Sequence, residues 1–111
     1  MSDDEFYANL SDALEREFPG VRLHIYWSEI THVVKVMSIQ VENKRQGTGT
    51  EVMRRICAVA DEKGHRIALT PDTSWGSSKA GLVRFYGRLG FIRNRDTSIS
   101  NTLIRNPKGN A

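Results

Sequence analysis

Residues 38–63, SIQVENKRQGTGTEVMRRICAVADEK, limit the possible folds more than any other part of the chain. They begin with alternating apolar and polar residues, pass through a short polar segment that contains Gly47 and Gly49, and end in an amphipathic run. Alternation is typical of a half-buried strand, and an apolar stripe at helical spacing is typical of a surface helix. The stretch therefore predicts a strand, a glycine turn and a helix, in that order.

The glycine turn is a candidate anion site. Glycine permits positive φ and places no Cβ between the backbone and a ligand. The first amides of a helix have no intrahelical acceptor, and the helix dipole adds partial positive charge there. The turn therefore predicts a bound phosphate, although two glycines that only form a tight turn would explain the same pattern. Neither a P-loop nor a Rossmann fingerprint is present, because the residues that complete those motifs are missing.

A second motif lies downstream, in the run FYGRLGF at residues 85–91. A turn of the pattern basic-x-x-Gly-x-Gly that opens a helix, followed further along by Phe-Tyr-x-x-Leu-Gly-Phe, resembles the GNAT superfamily of N-acetyltransferases. The resemblance covers residues 33–93. A Leu-Thr-Pro strand end and a Trp-Gly-Ser loop before the second helix are similar to compact, phage-type members.

The resemblance implies an acyl-CoA-dependent N-acetyltransferase that moves an acetyl group from acetyl-CoA (coenzyme A) to a primary amine of a small molecule or protein. It implies that Ile39 and Val41 border the acyl-pantetheine arm. It also implies that Lys44 or Arg45 lies beside the pyrophosphate, although the family usually has Arg or Gln where this chain has Lys44. The amides expected to cradle the pyrophosphate are those of Gln46, Gly47, Thr48, Gly49 and Thr50.

Tyr86 is the predicted catalytic residue, because it aligns with the family's tyrosine, whose hydroxyl donates a proton or hydrogen bond to the coenzyme A sulfur. A phenol has a reference pKa near 10 and a thiol one near 8.5, so a tyrosine stays protonated at neutral pH and can donate as charge builds on sulfur. The alternative is a core aromatic, since Tyr86 shares a helical stripe with Leu82 and Leu89.

The acceptor amine needs a base or a desolvating pocket, because a lysine-like amine with a pKa near 10.4 is almost entirely protonated at pH 7. The candidates are Glu29, His24, His32 and Glu42. None of them matches a family motif, so the base stays unassigned. A backbone amide near Ile39 is expected to polarise the carbonyl.

The strand over residues 32–41 contains an irregularity. Val34 and Val36 share one parity, whereas Met37, Ile39 and Val41 share the other. A bulge near residues 36–38 explains the change, and so does a strand buried on both faces. The resemblance favours the bulge, because family members carry one in this strand that splays it from its parallel neighbour.

The remaining periodicities complete the predicted fold. They indicate helices over residues 4–18 and 47–63 and a third helix that ends at Gly90. They indicate strands over residues 21–28, 66–70, 91–94 and 101–105, with a frayed tail from Pro107 onward. The fold class is α/β (α+β): a GNAT-like mixed sheet with a central splayed strand, a glycine turn, flanking helices and an abbreviated N-terminal part. That short N-terminal part predicts either a large acceptor or a homodimer.

Composition narrows the functional classes. The 111 residues predict a single domain, 1–111. No apolar run reaches the length of a membrane span, and the acidic start predicts no secretory signal. A lone Cys57, interpreted as buried filler, favours a reducing cytoplasm. No metal site is predicted.

Two other functional classes compete with the enzyme. The first is a non-catalytic coenzyme A-binding or regulatory module of the same fold. The second is a small nucleic-acid-binding protein that uses surface arginines. Nucleic acid is the less favoured partner, because a net charge of +3 is modest and no reader motif is present.

Overall fold

The computed structural model describes residues 1–42, 47–72 and 78–108. Within these residues the strands form a five-stranded sheet of order β1-β2-β3-β5-β4. β2 pairs with β3 in parallel, and the other neighbours are antiparallel. The predicted α/β fold with a mixed sheet and flanking helices is confirmed. The elements are α1 (Asp3–Glu17), β1 (Val21–Ser28), β2 (Val33–Val41), α2 (Thr48–Lys63), β3 (Arg66–Leu69), α3 (Lys79–Arg88), β4 (Ile92–Arg93) and β5 (Leu103–Arg105).

Strand β1 and helix α1 close one edge of the sheet. The odd-numbered residues of β1 are buried, as their alternation predicts. Two side chains of α1 bond to the backbone of this edge strand: the hydroxyl of Ser11 donates to the carbonyl of Leu23 at 3.0 Å, and Glu15 accepts from the amide of Leu23 at 2.9 Å. Because α1 pairs these backbone groups, they are not available to another chain.

The predicted bulge is present in β2. Ile25 pairs with Val36 and His24 pairs with Ser38, so Met37 is the extra residue. It is 49% exposed. Because the bulge reverses the side-chain parity, valines before it and apolar residues after it contribute to the same core. Strand β3 pairs only with residues 33–36 of β2. In the described part of the chain, β2 beyond the bulge therefore has no strand partner on the side that faces β3.

Helix α2 supplies the centre of the core. Its buried residues are Val52, Met53, Ile56, Cys57 and Ala60. The helix ends at Gly64, whose φ of +72° is left-handed and favours glycine. Burial raises the pKa of the Cys57 thiol. A buried thiol with a raised pKa is a poor nucleophile, which agrees with the interpretation of Cys57 as a packing residue.

A buried ion pair joins three elements. Arg105 on β5, which is 3% exposed, donates through both terminal nitrogens to Asp61 on α2, at 2.6 and 2.9 Å. Its Nε donates to the carbonyl of Leu89, just after α3, at 2.7 Å. The amide of Lys108 also donates to Asp61, at 2.8 Å. The expectation of a frayed tail from Pro107 is thus wrong as far as Lys108, and residues 109–111 lie outside the described part.

We predict that Arg105→Met lowers the free energy of unfolding by about 3 kcal/mol, because it leaves a partly buried carboxylate without its partner. Denaturant unfolding measures the change. Arg93→Met, at an exposed position on β4, is the matched control and should change stability by less than about 0.5 kcal/mol.

The pair also has a pH dependence. Hydrogen bonds from Arg105 hold the pKa of Asp61 below its ordinary value. A depressed carboxyl pKa contributes stability above the unfolded-state value, about 3.9, and this contribution is lost as the pH falls through the lower folded-state value. Arg105→Met should therefore lose less stability than the wild type over that acid range. Equal stability of the two proteins at neutral pH would contradict the account.

Candidate functional site

A cleft of about 810 Å³ opens where β2 and β3 separate. Its volume lies within the usual range for small-molecule sites, about 300–1,000 Å³. The second half of β2 forms one wall, the start of α2 forms one end, and the end of β3 with α3 forms the opposite wall. The lining residues include Val36, Ile39, Val41, Glu42, Gly47, Gly49, Thr50, Leu69, Asp72, Leu82, Phe85 and Tyr86.

The start of α2 presents unpaired amides to this cleft. Gly47 is the N-cap, and no side chain caps the helix. The first helical hydrogen bond runs from the amide of Glu51 to the carbonyl of Gly47, at 3.1 Å. Among the described residues, the amides of Thr48, Gly49 and Thr50 consequently have no acceptor. With the helix dipole, such amides make this end of the cleft a candidate anion-binding end.

The two glycines of the turn have different roles. Gly47 has a φ of +69°, so glycine is favoured by backbone conformation, and an added Cβ would meet nothing within 4 Å. Gly49 is helical, and an added Cβ would lie 3.5 Å from Cγ2 of Val41, an ordinary contact. Only Gly47 has the positive φ that the turn was expected to require, and the expectation that the missing Cβ atoms make room for a phosphate stays a prediction. A longer side chain at residue 49, which lines the cleft, competes with a ligand for the same space.

Tyr86 lies on the opposite wall with its ring held by two aromatic neighbours. Phe85 and Phe91 make edge contacts with it, at centroid distances of 5.0 and 5.5 Å. Tyr86 is 7% exposed, and its hydroxyl has no hydrogen-bond partner among the described residues. Burial, and then the charge of Asp72, raise the pKa of its phenol. Tyr86 is thus packed as a core aromatic on the wall of the cleft.

The β2 wall carries apolar side chains and backbone groups together. Ile39 and Val41 are half-buried and line the cleft. They pair with β1 on one side only, opposite Leu23 and Val21. Alternate backbone groups on the free edge of a strand point away from its partner. An extended ligand with amide groups can therefore bond to this edge as an added strand does.

Most of the predicted site residues line the cleft, and the others lie beside it or outside the described residues. Ile39, Val41, Gly47, Gly49, Thr50 and Tyr86 all line it. Thr48 belongs to the uncapped turn but is not among the lining residues. The predicted contacts of Lys44, Arg45 and Gln46 lie outside the described residues.

The four candidate bases lie at different places in the fold, and one of them lines the cleft. Glu42 lines the cleft, at the end that leads to the glycine turn. Glu29 accepts from the indole nitrogen of Trp27 at 3.0 Å, and His32 lies in the distant hairpin with a φ of +55°. His24 is exposed on β1 and does not line the cleft. Asp72 also lines the cleft and was not among the predicted site residues. Its place just after a parallel strand, at the open end of a sheet, is a usual position for functional side chains.

Comparisons with known proteins give a fold and no family. No family model matches the chain, and no curated protein matches it. Among solved structures, the crystal structure of the anti-CRISPR protein AcrVA5 matches with a TM-score of 0.61 and 25% identity, over 77% of this chain and 88% of that chain. This chain is thus similar in fold to AcrVA5.

The identification of the chain as a compact, phage-type GNAT member is wrong, since no family model matches and a matching structure is named as an anti-CRISPR protein. The local structure explains why the motifs misled. Gly47 and Gly90 have φ values of +69° and +98°, and Phe85 and Phe91 pack around Tyr86. The local geometry of a turn and of a helix end already explains these residues, so the two short motifs do not establish a family.

We predict that coenzyme A raises the melting temperature of the wild type and that Gly49→Glu abolishes the rise. A ligand at about 100 times its Kd stabilises a folded protein by about 2.7 kcal/mol. The added carboxylate occupies the anion-binding end and repels phosphate. The variant should fold, because the Cβ meets only an ordinary contact and an acid suits the first turn of a helix.

Gly49→Gln is the matched control, since it adds similar bulk without charge. It should retain more of the thermal shift than Gly49→Glu. Equal shifts in the wild type and Gly49→Glu would exclude the start of α2 from the binding site.

Proposed function

We propose that the chain is an acyl-CoA-dependent N-acetyltransferase that moves an acetyl group from acetyl-CoA to a primary amine of a small molecule or protein. One observation carries the proposal: the same cleft has, with respect to the described residues, unpaired helix amides at one end and a tyrosine hydroxyl without a hydrogen-bond partner on its opposite wall. Anion binding and proton donation are two of the functions that acyl transfer from a pyrophosphate-bearing thioester needs.

The described residues are suited to hold such a cofactor along the cleft. The amides of Thr48, Gly49 and Thr50 would donate hydrogen bonds to its pyrophosphate oxygens. The free edge of β2 near Ile39 and Val41 would bond to its amide-bearing arm. Acetyl-CoA supplies the thioester. The backbone of β2 near Ile39 is also the proposed donor to the thioester carbonyl, which makes the carbon more electrophilic.

The proposed role of Tyr86 is to protonate the departing sulfur. Its phenol pKa is raised by burial and by Asp72, so it stays protonated at neutral pH. Its hydroxyl donates a hydrogen bond that strengthens as the C–S bond breaks and negative charge grows on sulfur; because a thiol has a lower pKa than a phenol, complete transfer of the proton is uphill and occurs only with the return of a proton to Tyr86 from the acidic nitrogen of the newly acylated amine. The ring contacts with Phe85 and Phe91 fix the hydroxyl on the cleft wall.

The proposal includes a cytoplasmic location, supported by a buried free cysteine that suits a reducing compartment. None of the described helices is long and apolar enough to cross a membrane. A homodimer, in which the second copy completes the wall for the amine, is also part of the proposal. Its support is the half-exposed Met37, which lines the cleft.

The structural neighbour favours a second candidate, which concerns the biological role. AcrVA5 is named as an anti-CRISPR protein, and its likeness covers 77% of this chain. The second candidate function is therefore inhibition of a CRISPR system, with a protein as the acceptor. CRISPR interference can be assayed in bacteria that express the wild type or Tyr86→Phe. Inhibition by the wild type alone would indicate that acetyl transfer causes the inhibition, and equal inhibition by both proteins would indicate that the two functions are separate.

We predict that Tyr86→Phe lowers turnover by about 10² to 10⁴-fold, because it removes a general acid. Most of the loss should be in kcat, since the interaction forms mainly in the transition state. Stability should change little, because no hydrogen bond between the hydroxyl and the described residues is lost. The measurement is thioester consumption with a panel of polyamines, aminoglycosides, amino acids and lysine peptides.

Tyr26→Phe, at an exposed position on β1, is the matched control and should leave turnover unchanged. An active wild type with an equally active Tyr86→Phe would refute the acid role. Coenzyme A binding without thioester consumption for any amine would instead favour the non-catalytic binding module.

A further inference from the structure

The helices that the structure describes all pack on one face of the sheet. The main core joins residues of α1, α2 and α3 to the odd-numbered residues of β1. Because side chains alternate along a strand, Arg22, His24 and Tyr26 lie on the opposite face, where they are exposed. Within the described residues no helix covers that face, and Ile99 covers only its part near β3 and β5. The part formed by β1 and β2 is therefore open to a partner.

The strand register brings an aromatic ring and two cations together on this surface. Tyr26 of β1 pairs with Lys35 of β2. Val33, two residues earlier on β2, pairs with Arg66 of β3. Residues two apart on a strand, and residues directly paired across strands, share a face of the sheet. The surface that carries His24, Tyr26, Lys35 and Arg66 is called the open face.

The two signs of charge are separated between the sheet and the first helix. All the charged residues in β1–β5 are basic: Arg22, Lys35, Arg66, Arg93 and Arg105. Helix α1, on the other side of the sheet, has the acidic sequence DDEFYANLSDALERE. A net charge of +3 therefore understates how basic the open face is. A surface with one sign of charge attracts ligands of the opposite sign, so the ligand expected here is an anion.

The two cations of the open face can reach such a ligand. Lys35 makes no ion pair with another described residue. Arg66 contacts Asp96 at 3.4 Å, and the two side chains are 36% and 37% exposed. Exposed ion pairs of this kind contribute little to stability. Arg66 can therefore exchange this contact for one with a phosphate.

The aromatic side chains indicate which polyanion fits. Tyr26 is 37% exposed, and the exposed ring of His24 lies beside it at a centroid distance of 6.3 Å. Single-stranded nucleic acids bind to sheet surfaces by stacking bases on exposed rings while cations contact the phosphates. An acidic peptide would use the cations but would not need the rings. Two copies of this chain joined symmetrically through the open face would bring like charges together.

We propose that the open face binds single-stranded nucleic acid, with a base stacked on Tyr26 and phosphates held by Lys35 and Arg66. A shallow pocket of about 360 Å³ continues the surface beyond Arg66, and its lining includes Arg95 and Ile92. Ile92 is 55% exposed, so it offers an apolar contact to a further base. The proposal is independent of the acetyltransferase function, because Tyr26, Lys35 and Arg66 do not line the cleft.

The test is the fluorescence anisotropy of a labelled oligothymidylate of about 15 nucleotides, the upper range of single-strand site sizes. We expect the wild type to bind it at about 50 mM salt and to bind more weakly as salt rises. The double variant Lys35→Gln/Arg66→Gln should bind more weakly and should lower the slope of log K against log salt by about 1.4, since each phosphate contact on a single strand contributes about 0.7. Arg54→Gln, at an exposed position on α2, is the charge-matched control and should match the wild type.

Substitutions of Tyr26 separate stacking from charge. Tyr26→Ser should weaken binding by about 5- to 100-fold, because it removes the ring on which a base stacks. Tyr26→Phe keeps the ring and should bind as the wild type does. Circular dichroism would verify that each variant folds, and the double variant at Lys35 and Arg66 tests the same surface without altering Tyr26.

Four results would overturn the proposal. The first is a wild type that does not bind the oligothymidylate at about 50 mM salt. The second is a folded Tyr26→Ser that binds as tightly as the wild type. The third is a polyglutamate peptide that binds as tightly as the oligothymidylate, which would indicate an acidic protein as the partner. The fourth is displacement of the oligothymidylate by excess coenzyme A, which would place it in the cleft.

Discussion

The separation of β2 from β3 is the constraint on which the rest of the molecule depends. The two strands pair over only four positions, and the bulge at Met37 turns the remainder of β2 away while keeping its apolar side chains on the core side. A continuous ladder would have paired every backbone group on this edge and left no cleft. The bulge instead produces a strand that is bonded on one side and open on the other, next to an uncapped helix.

The opposite wall of the cleft depends on a different interaction. The buried pair between Arg105 and Asp61 connects β5 to α2, and the bond from Arg105 to the carbonyl of Leu89 fixes the end of α3. Tyr86 lies on the last turn of that helix, so a contact on one side of the molecule sets the position of a hydroxyl in the cleft. Removing a partner from a buried ion pair is costly, which makes this an effective anchor for a short helix.

Much of the fold follows from local patterns in the sequence. The alternation in β1, the parity change between Val36 and Ile39, and the glycines that end α2 and α3 each leave a pattern over a few residues. The pair between Arg105 and Asp61 joins residues 44 apart, and the charge of Asp72, after β3, acts on Tyr86 in α3, so neither leaves a local pattern. The order of the short strands β4 and β5 is not predictable from their sequences either. Family membership could not be read from two motifs whose residues local geometry already explains.

The most direct test of the central claim is a crystal structure of the protein with coenzyme A. The account predicts that the pyrophosphate lies within hydrogen-bond distance, about 2.7–3.2 Å, of the amides of Thr48, Gly49 and Thr50. It predicts that the pantetheine arm runs along the free edge of β2 and that the sulfur lies beside the hydroxyl of Tyr86. Coenzyme A bound outside this cleft, or bound within it with its sulfur directed away from Tyr86, would contradict the account.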